Sequence, residues 1–342
     1  MTPAIRVEGL TRVFPGRGDG GDVQALSDAT FEVARGETLG LVGESGCGKS
    51  TLARLLVRLD EPTSGTIEIQ GTDVTRLSDR AFRPHRREIQ MVFQDPFGSL
   101  NPRHTVGRTI REVLDVHNLV DNRKEREERV KELLAMVGLG PGFAQRLPRQ
   151  LSGGQMQRVG IARALAVEPS ILVLDESVSA LDVSVQAEVM NLLVKMREDL
   201  NLTYLFISHD LGMVRHISDR IAVMYLGRIV ELGSWKEVSD APQHPYADAL
   251  QHAIPVADPE LEAGEIEPPI EGEVPNPADP PTGCAFHPRC PIAEDVCSER
   301  RPELVPTEEG HLVSCHVVER RFAEAVTDNE EPDPWADPTS TP

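Results

Sequence analysis

Nine consecutive residues, Gly43-Glu44-Ser45-Gly46-Cys47-Gly48-Lys49-Ser50-Thr51, carry the clearest chemical instruction in the chain. They fit the pattern G-x-x-x-x-G-K-[ST] between an apolar run and an amphipathic one. Glycines let the backbone turn tightly, so that successive N–H groups converge on phosphate oxygens. A helix starting at Lys49 adds its positive end to the same point. Lys49 then reaches the β- and γ-phosphates of a nucleoside triphosphate, and Ser50 offers its hydroxyl to Mg²⁺. Cys47 reads as a small filler inside the turn. Farther on, the apolar run Ile171-Leu172-Val173-Leu174 ends in Asp175-Glu176. A strand buried on both faces has no reason to end in two carboxylates unless they hold a cation or do chemistry. Asp175 is placed to hold Mg²⁺, and Glu176 to take a proton from an attacking water.

These groups need a scaffold, and the hydrophobic pattern supplies one. Short apolar runs at Thr38–Val42, Ile89–Phe93, Ile171–Leu174, Tyr204–Ile207 and Ile221–Met224 read as buried strands. Lys49–Leu59, Arg123–Val137 and Ser184–Leu200 have helical spacing. Strands separated by helices predict a mainly parallel sheet covered on both faces. The β-rich pieces Ile5–Val13, Ala29–Val33 and Ile67–Ile69 predict an additional antiparallel sheet beside it.

A third string, Leu151-Ser152-Gly153-Gly154-Gln155, closely resembles the signature sequence of ABC-transporter ATPases. The resemblance extends over about residues 5–240, with the landmarks in order. Gln94 matches the Q-loop glutamine, Ser179-Ala180-Leu181-Asp182 the D-loop, and His209 the switch histidine. Phe14 lies where the family stacks an aromatic on adenine. It implies a P-loop NTPase core of ABC type with an antiparallel β subdomain and a helical subdomain at about 95–165. In the family two such subunits meet head to tail, and Ser152, Gly153, Gly154 and Gln155 close on the ATP of the partner. Gln94 then senses Mg²⁺ and the attacking water, and His209 contacts the γ-phosphate. The strings Ser99-Leu100-Asn101-Pro102-Arg103 and Ser179–Ser184 resemble the dipeptide/oligopeptide-importer branch, and its F-type more than its D-type subunit. Ser177 departs from the pattern, because many relatives carry Pro there.

Beyond residue 240 the chain changes character. Gln243–Leu250 resembles the His-Pro-Tyr segment that opens the C-terminal extension of peptide-importer ATPases, expected at 241–322. Residues 258–282 are rich in Pro and Glu and read as an extended linker. Cys284, Cys290, Cys297 and Cys315 follow with spacing C-x5-C-x6-C-x17-C. In a reducing compartment four thiols suit tetrahedral zinc, an iron–sulfur cluster or no metal at all. His287, His311 and His316 are further candidate ligands. Resemblance to the extension implies a [4Fe–4S] cluster, and 323–342 reads as a disordered acidic tail.

Charge narrows the partners. The chain of 342 residues has 55 acids, 35 bases and a formal net charge of −20. Met1 to Pro255 holds 34 acids against 30 bases, whereas Val256 to Pro342 holds 21 against 5. Without a basic field, nucleic acid is not the main partner. No apolar stretch is long enough to span a bilayer, and the first residues lack a signal-peptide core. The combined expectation is an ATP- and Mg²⁺-dependent ATPase, peripheral on the cytoplasmic face of the cell membrane. It would energise dipeptide or oligopeptide uptake through two membrane-spanning permease subunits and an external solute-binding protein. Its ATPase partner would be a D-type subunit or a second copy. Nickel or sugar importers, and a soluble ABC ATPase outside transport, are the alternatives.

Overall fold

The computed structural model describes residues 2–16, 21–179, 181–252, 272–308 and 310–329. Among these residues twelve strands run in chain order: β1 (Ile5–Phe14), β2 (Val23–Val33), β3 (Thr38–Val42), β4 (Ser64–Ile69), β5 (Thr72–Asp73) and β6 (Ile89–Val92), then β7 (Ile171–Asp175), β8 (Thr203–Ser208), β9 (Arg220–Tyr225), β10 (Arg228–Ser234), β11 (Val305–Glu308) and β12 (His311–Val313). They form two sheets among the described residues. One is antiparallel in the order β2-β1-β4-β5; the other has the order β11-β12-β10-β9-β3-β8-β7-β6. In the larger sheet β9, β3, β8, β7 and β6 are parallel. Antiparallel β10, β12 and β11 extend one edge.

Each residue of β3, β7 and β8 is buried, as expected where both faces are covered. Alternation along these strands divides the interior in two. Ile171, Val173, Leu205 and Ile207 join the core beneath the small sheet and the helix Lys49–Leu56. Leu172, Leu174, Tyr204 and Phe206 face the opposite core, with the helices Gly153–Leu165, Val183–Leu200 and Leu211–Ile217. Between β6 and β7 the chain is helical, with Val106–Val116, Arg123–Met136 and Gly153–Leu165 as its main segments.

The C-terminal extension is joined to this framework. Strand β12 pairs with β10, so the extension enlarges the main sheet. Buried Glu231 of β10 ties the two together, accepting hydrogen bonds from the Gln243 and His244 N–H groups and pairing with His311 Nε2 at 2.8 Å. Pro277, in the expected linker, accepts from the Gln24 N–H of β2. Residues 258–271 of that linker lie outside the described residues. The last helix runs His316–Asn329, so residues 323–329, expected in the tail, continue it instead. Val317 and Val318 are buried in a small cluster that Phe322 covers, and this apolar stripe is what docks the helix. Residues 330–342 lie outside the described residues.

Candidate active site

The loop between β3 and the helix Lys49–Leu56 places its polar groups at the open ends of the parallel strands. Gly48 begins the helix at φ 109°, and a Cβ there would stand 2.3 Å from the Ala25 carbonyl oxygen, so backbone and sterics both require glycine. Cys47 is buried, and burial pushes its thiol pKa up, in keeping with the filler reading. Lys49 is buried as well. Its ammonium donates to the Gly43 carbonyl at 2.7 Å and the Glu44 carbonyl at 3.0 Å, across the loop it serves.

Three of the expected residues converge on the carboxylate of a fourth. Glu176 lies 3.9 Å from Lys49 Nζ and 3.8 Å from His209 Nδ1, and accepts a hydrogen bond from Gln94 Nε2 at 2.7 Å. Its backbone sits in the left-handed region at φ 43°, an uncommon conformation for a side chain of this size. Hydrogen bonds hold that kink: Glu176 N–H donates to the Ile207 carbonyl, and its own carbonyl accepts from Ser179 N–H and Oγ. Strained geometry at a strand end is a common mark of reacting positions.

Asp175 beside it is buried and accepts from Ser50 Oγ at 3.0 Å. Burial raises its pKa, with the neighbouring Glu176 charge adding to the rise and Ser50 opposing it. A desolvated carboxylate whose near partner is a hydroxyl suits a divalent cation, so Ser50 and Asp175 fit Mg²⁺ by donor chemistry. Ser177, one residue beyond Glu176, is buried, and its hydroxyl finds no hydrogen-bond partner among the described residues.

The signature residues stand apart from this group. Ser152 is exposed and caps the helix Gly153–Leu165, accepting from Gln155 N–H while Gln155 Oε1 accepts from Ser152 N–H. A Cβ on Gly154 would approach Val185 Cγ1 to 2.2 Å, so this glycine also answers to packing. Asp182 precedes the helix Val183–Leu200 without a side-chain cap, and exposed Val183 follows it. Ala180 of the D-loop lies outside the described residues. Phe14 ends β1, half-buried, with the Arg12 guanidinium 4.3 Å from its ring centre. One face of the ring thus already carries a cation, which no sequence pattern indicated.

Two residues absent from the expected set also reach the phosphate loop. The Tyr246 hydroxyl accepts from Glu44 N–H at 2.8 Å. Arg289 binds the Glu44 carboxylate with both terminal nitrogens, at 2.8 and 3.1 Å. Both belong to strings that the sequence displays, His-Pro-Tyr and the turn before Cys290, but nothing local points from either toward position 44.

The cysteines form a packed module. Cys284 and Cys290 lie against the large core near Phe286, and Cys315 packs with Val313, Val317 and Val318. Burial is the main force raising the Cys284, Cys290 and Cys315 pKa values, Cys290 to about 11, and the neighbouring sulfurs reinforce it. Among the described residues no group of three or more His, Cys, Asp or Glu side chains is gathered so that it could hold a metal ion. The four thiols therefore do not present the ligand set expected for [4Fe–4S], and low-dielectric packing favours the protonated form of Cys284, Cys290 and Cys315. His287, His311 and His316 each have a ring nitrogen engaged, by the Cys284 carbonyl, by Glu231 and by the Arg300 carbonyl.

Comparison with known proteins shows the family and the fold. A family profile described as ABC transporter matches residues 26–179, and one described as oligopeptide/dipeptide transporter, C-terminal region, matches 230–297. The chain is 52% identical over 298 residues to the oligopeptide transport ATP-binding protein AppF of Bacillus subtilis, covering 87% of this chain and 90% of that one. It is 51% identical over 318 residues to the probable peptide ABC transporter ATP-binding protein y4tS of Sinorhizobium fredii, covering 92% and 89%. Among solved structures, the dimeric ATP-binding cassette MJ0796 bound to ADP and Pi superposes with a TM-score of 0.62 at 31% identity, covering 68% of this chain and 98% of that one. The cassette cbiO1 of Clostridium perfringens, part of the transporter complex cbiONQ, gives 0.62 at 30%, covering 70% and 92%.

Proposed function

This chain belongs to the ABC-transporter ATPases, in the oligopeptide/dipeptide branch, and from that premise we propose how its residues energise peptide import. It is the ATP-binding and ATP-hydrolysing subunit of an ABC importer for peptides. The observation that carries the assignment of roles is the convergence of Lys49, Gln94 and His209 on Glu176, beside the Ser50–Asp175 pair.

In this reading Gly43–Thr51 wraps the phosphates, and Lys49 exchanges its carbonyl partners for the β- and γ-oxygens. Ser50 and Asp175 would hold Mg²⁺, which would supply positive charge to the phosphates. Glu176 takes the proton of a water whose oxygen attacks the γ-phosphorus, while the bond to the β-bridging oxygen breaks and ADP leaves. Gln94 and His209 orient that water and the γ-phosphate from either side of the carboxylate. Phe14 stacks adenine on the face that Arg12 leaves open. Ser152, Gly153, Gly154, Gln155 and Asp182 meet the nucleotide of a second subunit, D-type or identical; the exposed positions of Ser152 and Val183 support this.

No helix among the described residues is long and apolar enough to cross a membrane. Membership of the transporter ATPases supports a subunit that works peripherally, on the cytoplasmic face, docked on two permease subunits and linked through them to an external solute-binding protein. Exposed Phe97, just past Gln94, is an apolar contact suited to that docking. A [4Fe–4S] cluster on Cys284, Cys290, Cys297 and Cys315 rests on the resemblance of the extension alone, and hydrolysis does not require it. Iron and acid-labile sulfide assayed on protein purified without oxygen decide it, and values near zero remove it.

Reconstitution in proteoliposomes with the permease pair and binding protein tests the whole reading. Oligopeptide should be taken up only with MgATP and should stimulate hydrolysis. ATP-dependent uptake of nickel or a sugar, without peptide uptake, would overturn the substrate class.

A further inference from the structure

Glu44 is a problem for a loop that must receive a triphosphate. Its carboxylate sits on the second residue of the phosphate-binding turn, only about a quarter exposed, and like charge close to phosphate costs affinity. The answer lies 245 residues away. Arg289 is nearly buried, with 6% of its side chain exposed, and meets both Glu44 oxygens in a fork at 2.8 and 3.1 Å. A bidentate guanidinium–carboxylate pair fixes orientation as well as charge. Arg289 also reaches the Tyr225 hydroxyl at 3.4 Å, and its guanidinium lies 5.9 Å from the Tyr225 ring centre.

The cysteine module holds Arg289 in place. The turn His287–Arg289 is closed by bonds from His287 N–H to the Cys284 carbonyl and from Arg289 N–H to the Phe286 carbonyl. Phe286 packs edge-on against Tyr225, at 5.2 Å, and tilted against Tyr246, at 5.4 Å. Tyr246 in turn accepts the Glu44 N–H, and Lys49 bonds the Glu44 carbonyl. Glu44 is thus gripped at side chain, N–H and carbonyl, two of the three by the extension. Beyond Pro255 the chain has only five bases, and it commits one of them to this contact.

We propose that Arg289 is a positioning residue for ATP: it neutralises and orients Glu44, so that the cysteine-bearing extension sets the nucleotide affinity of the phosphate loop. The proposal rests on the ATPase reading above. Its mark is an asymmetry: with Arg289 removed, the uncovered carboxylate does more harm than the lost tether, so neutralising Glu44 should repair part of the damage.

The test is MgATP binding by the full-length protein, measured calorimetrically, with KM and kcat of the assembled transporter alongside. Arg289→Gln should weaken MgATP binding and raise KM about tenfold, with kcat within about twofold. Arg289→Lys, which keeps the charge and loses the fork, should fall between. The double variant Glu44→Gln/Arg289→Gln should bind MgATP more tightly than Arg289→Gln alone. Binding by Arg289→Gln within about twofold of the parent, or a double variant no better than that single one, overturns the proposal. A fold defect would lower the melting temperature of single and double variants alike without the repair, and that outcome counts against it too. If the unaltered protein fails to bind MgATP, the ATPase reading itself falls.

Discussion

The phosphate loop and the signature loop both turn into helices with anion-ready N–H groups, and the chain treats them in opposite ways. Around Gly43–Thr51 the polar groups are partnered from within: Lys49 by loop carbonyls, Ser50 by Asp175, Glu44 by Tyr246 and Arg289. At Ser152–Gln155 the serine is exposed, and its side-chain bond goes no farther than its own first helical turn. One loop is built as a finished cradle and the other as a face to be presented. In the proposed function the presented loop closes on the nucleotide of a second subunit, and closure is then the event that binding and hydrolysis control.

The largest expected effect lies at the phosphate loop's side of the molecule. Glu176→Gln keeps the side-chain shape and the Gln94 contact but removes the base, and should lower turnover about a thousandfold. ATP should still bind, and the closed pair should accumulate, visible by size-exclusion chromatography with MgATP. Unchanged turnover would take Glu176 out of the proton transfer.

On the presented side, Ser152→Asp separates fold from function. Aspartate is as good a helix cap as serine, so the melting temperature should hold. A carboxylate facing the partner's phosphates should still cut turnover about a hundredfold, while MgATP binding to the isolated subunit stays as it was. Equal losses of binding and turnover would mean that the signature serves its own chain's site. Gly154→Ala acts on the same loop by packing alone. Its Cβ would meet Val185 Cγ1 at 2.2 Å, and a β-branched side chain yields poorly, so stability should fall by ~1–3 kcal/mol in chemical denaturation.

The two loops were also unequally legible in the sequence. The phosphate loop, the Asp175-Glu176 pair and the strands that carry them are local patterns, because glycine spacing and a fully apolar strand ending in acids are written in adjacent residues. The antiparallel sheet and the helices 123–136 and 183–200 followed from periodicity in the same way. What local pattern could not supply is contact across distance. Gln94, His209 and Glu176 meet only because β6, β7 and β8 lie side by side, an order that the sequence motifs imply through family resemblance and not through spacing. Arg289 and Tyr246 reach Glu44 through tertiary packing of aromatic rings, for which no sequence period exists. The short strands β11 and β12 add to the main sheet through β10, although the surrounding Pro- and Cys-rich composition suggested a separate module.

The back wall of the phosphate loop yields the smallest effect and the one that bears on its construction. His244 is fully buried, and its Nδ1 accepts the Tyr246 N–H at 3.0 Å, fixing the residue whose hydroxyl holds Glu44. Burial lowers its pKa from 6.5 to about 3, so the folded chain keeps the ring neutral where the unfolded chain protonates it. Above about pH 6.5 His244 therefore costs no stability. As pH falls below that value, stability is lost at up to ~1.4 kcal/mol per pH unit toward the folded pKa. His244→Asn retains an acceptor that can reach an N–H two residues on and removes the titration. Melting temperatures between pH 7 and 5 should therefore fall less steeply in the variant than in the parent, even if the variant starts lower. Parallel slopes would mean that His244 takes up its proton inside the fold, and that the support behind Glu44 is looser than the packing of Tyr225, Tyr246 and Phe286 implies.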